Sequence, residues 1–204
     1  YAIAFSSIQM MKNLNLWKKI GDSAHPISNI KVSHGTIERG PASATLQFNS
    51  ADIEENPMAQ MLEDRFLRQC LNDEIKDNTR IDLMEQRKIN EIIDLNEQKQ
   101  LSLDNSSKLK ASLIVASDGI NSPLAKAFGI RKTGWKYKQR GLVCAVNHEY
   151  SSDNTAYQYF LPEGPLAILP IKNNTASIVW TESIQNASTI SEMDDAEYLN
   201  ILQN

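Results

Sequence analysis

The spacing of apolar and polar residues predicts two helices in the first part of the chain. Apolar positions at helical spacing predict a first helix that begins at Ser6 or Ser7 and runs to about Ile20. The second helix has two plausible starts, an Asn56-Pro57 cap and an Asp64 cap. We favour Asp64, with residues 60–62 extended and the helix ending near Asn78.

Alternating patterns predict strands through most of the remaining sequence. The four candidates in the last third are joined by turn-like links, which favours an antiparallel meander. Ser191 is predicted to open a final helix, with the acidic residues Glu192, Asp194 and Asp195 near its positive N-terminal end. The predicted strands are 29–34, 42–48, Ile81 with Leu83, 89–95, Leu101 with Leu103, 109–116, 141–148, 155–161, 166–171 and 176–181.

The segment from Leu109 to Ala116 is nearly continuously apolar, as expected for a strand buried on both faces. It leads into Asp118-Gly119 and a short helix from Ser122 or Pro123 to Phe128. A carboxylate at the end of a buried strand can accept hydrogen bonds from a bound ligand's hydroxyl groups. The alternative from spacing alone is an ordinary strand-turn-helix connection in which Asp118 is a turn residue.

Charge and motif content exclude several classes of protein. The 204 residues carry 21 Lys+Arg and 25 Asp+Glu, a net charge of −4, which argues against a nucleic-acid-binding protein. Cys70 and Cys144 form no C-x-x-C pair, and the three histidines are scattered, so we expect no metal site. The sequence has no G-x-G-x-x-G, no phosphate-binding loop and no G-x-S-x-G, and we expect no catalytic residue of its own.

The ends of the chain suggest a piece of a longer protein. It begins at Tyr1 and ends at Asn204, inside or just after a predicted helix. We therefore expect an internal fragment.

Several segments, in order along the chain, resemble motifs of the FAD-dependent aromatic-ring hydroxylases, the family of para-hydroxybenzoate hydroxylase. Asp118-Gly119-Ile120-Asn121-Ser122 resembles the D-G-x-x-S motif of that family. Other segments resemble its ubiquinone-biosynthesis branch. These segments are Tyr1–Phe5 (R-A-I-A-L), Met61–Leu67 (V-E-N-R-x-L), Trp135–Gln139 (W-x-Y-x-Q), Gly164–Pro170 (G-P-L-A-x-L-P) and Ser177–Trp180 (S-x-V-W).

The resemblance implies a mixed α/β (α+β) fold, in which a partial FAD-binding domain is interleaved with an antiparallel-sheet substrate domain. The implied FAD-binding part comprises residues 1–28 and 50–132, and the substrate domain residues 29–49 and 133–204. The family's N-terminal G-x-G-x-x-G and C-terminal G-D segments are missing, and Tyr1 stands where the family has an Arg.

The resemblance also implies site residues and cofactors. Asp118 and Gly119 would belong to the FAD shell, with Gln60 and Arg65 near the flavin. The implied activity is hydroxylation of a polyprenylated phenol ring with FAD, NAD(P)H and O₂. The implied substrate-binding residues are Leu169, Pro170 and Trp180.

The implied partner is a small aromatic molecule and not a nucleic acid. The implied location is cytoplasmic with peripheral contact to the inner membrane, and a ubiquinone-biosynthesis complex or a homo-oligomer is compatible with it. Two alternatives remain open from the residues. One is a non-enzymatic α/β ligand- or partner-binding module; the other is a flavin enzyme acting on a different ring, such as a halogenase, although W-x-W-x-I-P is absent.

Overall fold

The computed structural model of the protein describes residues 1–53, 57–95, 98–150 and 153–203. The strands are β1 (Ala2–Ala4), β2 (His25–Ile27), β3 (Asn29–Thr36), β4 (Gly40–Asn49), β5 (Ala59–Met61), β6 (Ile89–Leu95), β7 (Gln98–Leu103), β8 (Lys108–Ala111), β9 (Gln139–Asn147), β10 (Thr155–Phe160), β11 (Pro165–Ile171) and β12 (Thr175–Ser183). The helices are α1 (Phe5–Asn13), α2 (Trp17–Ile20), α3 (Asp64–Asp77), α4 (Pro123–Ala127), α5 (Ile184–Ser191) and α6 (Asp195–Gln203).

The chain forms two compact units. The larger unit comprises Tyr1–Asp77 and Tyr137–Asn204, and the smaller unit comprises Asn78–Lys136. The larger unit contains an antiparallel three-stranded sheet, ordered β1-β5-β2, and a six-stranded sheet, ordered β4-β3-β10-β11-β12-β9. The smaller unit contains the antiparallel sheet β6-β7-β8 and the helix α4. This architecture confirms the predicted mixed α/β fold class.

The six-stranded sheet is antiparallel except where β3 and β10 run parallel. That pairing places β3 and β4 in the same sheet as the four strands that follow residue 138. The two compact units group the chain differently from the predicted division into FAD-binding and substrate domains, because Tyr1–Asp77 clusters with Tyr137–Asn204. The domain assignment stays a prediction.

Two apolar clusters hold the larger unit together. The first packs α1, α2 and α3 against the three-stranded sheet, with Ile8 and Leu62 almost completely buried. The second joins Ile27 and Met61 of the three-stranded sheet to Ala156 of the six-stranded sheet. Burial of such side chains contributes about 1.5–3 kcal/mol each. The first cluster therefore holds the helices on the three-stranded sheet, and the second holds the two sheets together.

The first predicted helix is interrupted. Helix α1 ends at Asn13 because Asn15 adopts a left-handed conformation with a φ of 59°, a conformation that commonly terminates helices. A separate short helix, α2, then reaches Ile20, the predicted end. The preferred start of the next helix is confirmed, since α3 begins at Asp64 and residues 59–61 form β5. The alternative cap, Asn56, lies outside the described residues.

The strand predicted over residues 109–116 is wrong beyond Ala111, where β8 ends. Leu113 and Val115 are 75% and 74% exposed. Within the described part of the chain, no strand pairs with residues 112–117, so the apolar run has no neighbour to bury it. The strand predicted at Ile81 and Leu83 is also absent, and both side chains are exposed.

The four strands predicted in the last third are confirmed as β9 to β12. Only β10, β11 and β12 form the predicted meander, because β9 pairs with β12 at the edge of the sheet. The final helix was predicted at the wrong place, since Ser191 ends α5 and α6 begins at Asp195. Asp194 and Glu197 exchange backbone-to-carboxylate hydrogen bonds of 2.9 and 3.2 Å, a reciprocal cap that starts α6.

The β3–β4 turn allows a matched test of the fold. A Cβ at Gly35 would lie 2.3 Å from the carbonyl oxygen of Gly40, whereas a Cβ at Gly141 meets nothing within 4 Å. We expect Gly35→Ala to lower the free energy of unfolding by about 1–3 kcal/mol, as overpacking does. Gly141→Ala should change it by less than about 1 kcal/mol. Urea unfolding followed by tryptophan fluorescence measures both, and equal effects would contradict the close backbone approach.

Candidate functional site

The six-stranded sheet has two faces, and the predicted substrate residues are divided between them. Leu166 pairs with Trp180 and Ile168 with Ile178, so these side chains share one face with Pro170. Leu169 pairs with Ser177 and lies on the opposite face. We call these the Trp180 face and the Leu169 face. The structure therefore brings Pro170 and Trp180 to one surface and leaves Leu169 on the other.

The Leu169 face packs on the three-stranded sheet and borders an open cavity of about 480 Å³. We call it the Arg65 cavity. Its lining mixes apolar side chains with hydrogen-bonding groups. The lining residues are Tyr1, Met61–Arg65, Ala145, Ile171–Asn173, Thr175 and Ser177.

Arg65 supplies a cation at the start of α3. Its guanidinium contacts the Glu63 carboxylate, with Nε to Oε2 at 2.9 Å, and lies 4.6 Å from the centre of the Phe66 ring. The Arg65 side chain is 71% exposed, so this ion pair contributes little to stability. The guanidinium remains accessible to an anionic or carbonyl group in the cavity.

Gln60 lies next to this cavity in sequence but does not line it. It sits on β5 opposite Ile3 of β1 and Pro26 of β2. Because side chains alternate along a strand, Gln60 lies on the face of the three-stranded sheet opposite Met61. Gln60 and Arg65 therefore share a unit but not a cavity, and their roles at a flavin stay predictions.

Asp118 and Gly119 lie in the smaller unit, at the turn before α4. A hydrogen bond with the Ser122 hydroxyl lowers the pKa of Asp118, assisted by the backbone N–H groups of Asp118 and Leu124 and the charge of Lys132. Ser122 in turn accepts a hydrogen bond from Ala125 N at 2.9 Å and caps α4. Asp118 is thus engaged within its own turn, as the turn-residue alternative predicts.

Gly119 has the backbone freedom that the motif suggests. Its φ is +84°, in the region that favours glycine. No atom lies within 4 Å of the place where a Cβ would be, so the backbone is open on that side. The main chain at Gly119 is therefore sterically accessible, whereas the Asp118 carboxylate already has partners.

The Trp180 face carries residues that sequence reasoning did not single out. Trp180 is 2% exposed, and its indole N–H has no acceptor among the described residues. Its ring lies 6.3 Å from that of Tyr198, whose hydroxyl accepts a hydrogen bond from the Cys144 thiol at 3.4 Å. Burial raises the pKa of Tyr198. The same face also carries Tyr157 and Tyr159 of β10, which the Tyr-x-Tyr alternation could have indicated.

Other site types find no support in the described residues. No group of three or more His, Cys, Asp or Glu side chains in this part of the chain could hold a metal ion. None of the described helices is long and apolar enough to cross a membrane.

His25 gives the larger unit a predicted pH dependence. Burial, assisted by the charge of Lys172 beside the Arg65 cavity, lowers the pKa of His25 from 6.5. Below about pH 6.5 the unfolded chain therefore binds a proton that the folded chain does not. We expect the free energy of unfolding to fall as the pH drops from 7 through the lowered pKa of His25, and to be constant with respect to this group above pH 7.

Two variants test that dependence by urea unfolding between pH 7 and 5.5. His25→Gln should flatten the dependence. Lys172→Met should reduce it only partly, because burial is the larger cause of the lowered pKa. An unchanged slope in His25→Gln would show that other groups govern stability in this range.

Comparison with known proteins shows similarity to enzymes of ubiquinone biosynthesis. No protein-family model matches the chain. The chain is 27% identical over 221 aligned positions to the ubiquinone biosynthesis monooxygenase COQ6 of Dictyostelium discoideum, covering 95% of this chain and 44% of the relative. It is 30% identical over 181 positions to the ubiquinone hydroxylase UbiL of Rhodospirillum rubrum, covering 89% and 41%. The chain thus spans less than half the length of these relatives.

A solved structure supports the same fold. PqsL of Pseudomonas aeruginosa, a probable FAD-dependent monooxygenase, matches with a TM-score of 0.79 at 15% identity, over 93% of this chain and 52% of PqsL. At 15% identity, this structural similarity shows that the two chains share a fold. Both of these relatives carry the names of ubiquinone-biosynthesis hydroxylases, and the predicted resemblance is confirmed.

Proposed function

We propose that this chain is part of an FAD-dependent monooxygenase that hydroxylates a polyprenylated phenol ring in ubiquinone biosynthesis. The observation that carries the proposal is the similarity to two ubiquinone-biosynthesis hydroxylases over 89% and 95% of the chain. The fold shared with a probable FAD-dependent monooxygenase supports it. We further propose NAD(P)H as the reductant, and a cytoplasmic enzyme with peripheral contact to the inner membrane.

The donor set of the Arg65 cavity fits part of a flavin cofactor. Arg65 and the side chains of Asn173 and Ser177 offer hydrogen-bond donors, while Met61, Leu62 and Ile171 offer an apolar wall. A flat ring with polar edges and apolar faces requires this mixture. The chain has no G-x-G-x-x-G turn for a pyrophosphate, so these residues would hold only one portion of FAD.

FAD, when bound, supplies the oxygen-activating chemistry, and the protein's task is to bind, orient and exclude water. On this proposal Arg65 places a positive charge at the edge of the bound cofactor. Leu169 and Ile171 pack between the six-stranded and three-stranded sheets, on the face that the Arg65 cavity borders. They exclude water from that face. No nucleophile–base pair is required, in agreement with the absence of such a motif from the sequence.

The test is oxygen transfer by a protein that contains this chain and has the length of its relatives. We expect a flavin absorption spectrum and, with NAD(P)H and isotopically labelled O₂, a polyprenylphenol that gains one labelled oxygen atom while the other is reduced to water. A colourless, monodisperse protein that binds a ligand without turnover would instead favour the non-enzymatic binding module. Halogenation of the ring in the presence of chloride would favour the other flavin-enzyme alternative.

Two variants distinguish a role of Asp118 in cofactor binding from its role in the turn. If its carboxylate also contacts the cofactor, Asp118→Asn in that longer protein should lower flavin content or slow flavin reduction by at least about tenfold, as loss of a hydrogen bond to a charged group does. The matched variant Ser122→Ala removes the α4 cap and should lower stability by about 1 kcal/mol while flavin reduction stays unchanged. Equal effects of both variants would assign Asp118 to the turn alone.

A further inference from the structure

The sheet of the smaller unit has an open edge that the proposed function does not use. Its strands are ordered β6-β7-β8, so within the described residues β8 has a neighbour on one side only. Beyond the end of β8, no backbone hydrogen bond joins residues 113–117 to another described segment. A row of unpaired N–H and C=O groups at a sheet edge is a template for a further strand.

The sequence along this edge complements itself when two copies run antiparallel. With Ile114 on a two-fold axis, Lys110 lies opposite Asp118 of the second copy. In the same register Leu113 lies opposite Val115 of the second copy. Each of these contacts occurs twice, because the axis relates the two copies. The remaining pairs join small side chains, Ala111 with Ser117 and Ser112 with Ala116.

The segment exposes the apolar side chains that this pairing would cover. Leu113 and Val115 are largely exposed in the single chain, and burial of apolar surface favours association. Ile114 borders a cavity of about 280 Å³ that Leu124 of α4 also lines. Pairing therefore brings Ile114 of each copy together beside α4 and covers Leu113 with Val115.

The backbone is compatible with a longer strand. Residues 112–117 have negative φ throughout, so each of them can adopt strand geometry. The chain bends at Ser112, directly after the last residue of β8. Pairing with a second copy would therefore extend β8 beyond its present end.

Charge complementarity selects a second copy and this register. Lys110 is exposed and, within the described part of the chain, belongs to none of the ion pairs. A hydrogen bond with Ser122 lowers the pKa of Asp118, so its exposed carboxylate is ionised at neutral pH. Parallel pairing in register would place Lys110 beside Lys110 of the second copy. A shift of the antiparallel register by one residue would place Lys110 opposite Gly119 and lose both ion pairs.

We propose that residues 110–118 form a dimerisation strand, through which two copies of this chain join their β6-β7-β8 sheets into one continuous sheet. A strand of unrelated sequence could supply the backbone hydrogen bonds but not both ion pairs. Because both copies use the same surface, the contact is closed and predicts a dimer and no larger assembly. The inference is independent of the proposed oxygenase activity.

Sedimentation equilibrium of the 204-residue chain, from micromolar to submillimolar concentration, tests the proposal. We expect a reversible equilibrium between monomer and dimer, without larger species. A monomer at every concentration would overturn the proposal and leave the segment to a strand elsewhere in a longer protein. Particles that grow beyond the dimer would also overturn it, because they would show non-specific adhesion of the apolar residues.

A matched pair of valine variants locates the contact. Val115→Lys places a lysine opposite Leu113 of the second copy at both contacts and should abolish the dimer. Val143→Lys, on β9 of the larger unit, is the control, because Val143 is 70% exposed and Val115 is 74% exposed. Dimerisation should be unchanged in the control, and equal loss in both variants would contradict a contact at the dimerisation strand.

Charge reversal tests the register. Lys110→Glu places a glutamate opposite Asp118 of the second copy and should weaken dimerisation about 3- to 30-fold, the effect of losing two exposed ion pairs. Asp118→Lys should weaken it in the same way. An equimolar mixture of the two variants should dimerise more tightly than either alone, since each of its contacts again joins opposite charges.

Lys88→Glu is the control for the change in net charge, because Lys88 is exposed in the same unit but lies outside the dimerisation strand. Its dimerisation should match that of the unaltered chain. If Lys110→Glu dimerised as tightly as Lys88→Glu, the proposal would be overturned, even where circular dichroism showed that Asp118→Lys had lost its fold.

Discussion

The parallel pairing of β3 with β10 is the constraint on which the larger unit depends. It runs from Asn29 opposite Thr155 to His34 opposite Phe160, so segments more than a hundred residues apart in sequence become neighbours. Closing such a long loop costs conformational entropy before any contact compensates for it. Once formed, the pairing joins the β3–β4 hairpin to the meander and creates a single six-stranded sheet with two usable faces.

The division into two faces organises the proposed functions. The Leu169 face packs on the three-stranded sheet, where Met61 and Ile27 bury it and the Arg65 cavity opens beside it. On the Trp180 face, Tyr198 of α6 contacts Trp180 and Cys144, and a cavity opens beside β10. A single sheet thus borders the Arg65 cavity on one side and two separate cavities on the other. Residues that are adjacent in sequence, such as Leu169 and Pro170, therefore lie on opposite faces of the sheet.

In the smaller unit, an apolar sequence pattern does not form the strand that it predicts, because no neighbouring strand pairs with it. The pattern at residues 109–116 predicts a strand buried on both faces, yet β8 ends at Ala111. Leu113 and Val115 are exposed, because the described residues contain no strand that pairs with residues 112–117. Exposed apolar runs of this kind are unusual on a stable surface. The pattern agrees with a chain that spans less than half the length of its relatives.

The sequence by itself determined the local elements: the strands β9 to β12, the start of α3 at Asp64, the capped helix after Ser122 and the family resemblance. These follow from periodicity, caps and turn residues, which act between neighbours along the chain. Only the tertiary structure decided that β3 runs parallel to β10, that Leu169 and Trp180 lie on opposite faces, and that Lys31 approaches Tyr157. These arrangements depend on which distant segments bury each other. The alternation of side chains along a strand predicts that the sheet has two faces. It does not predict which distant segment of the chain covers each face.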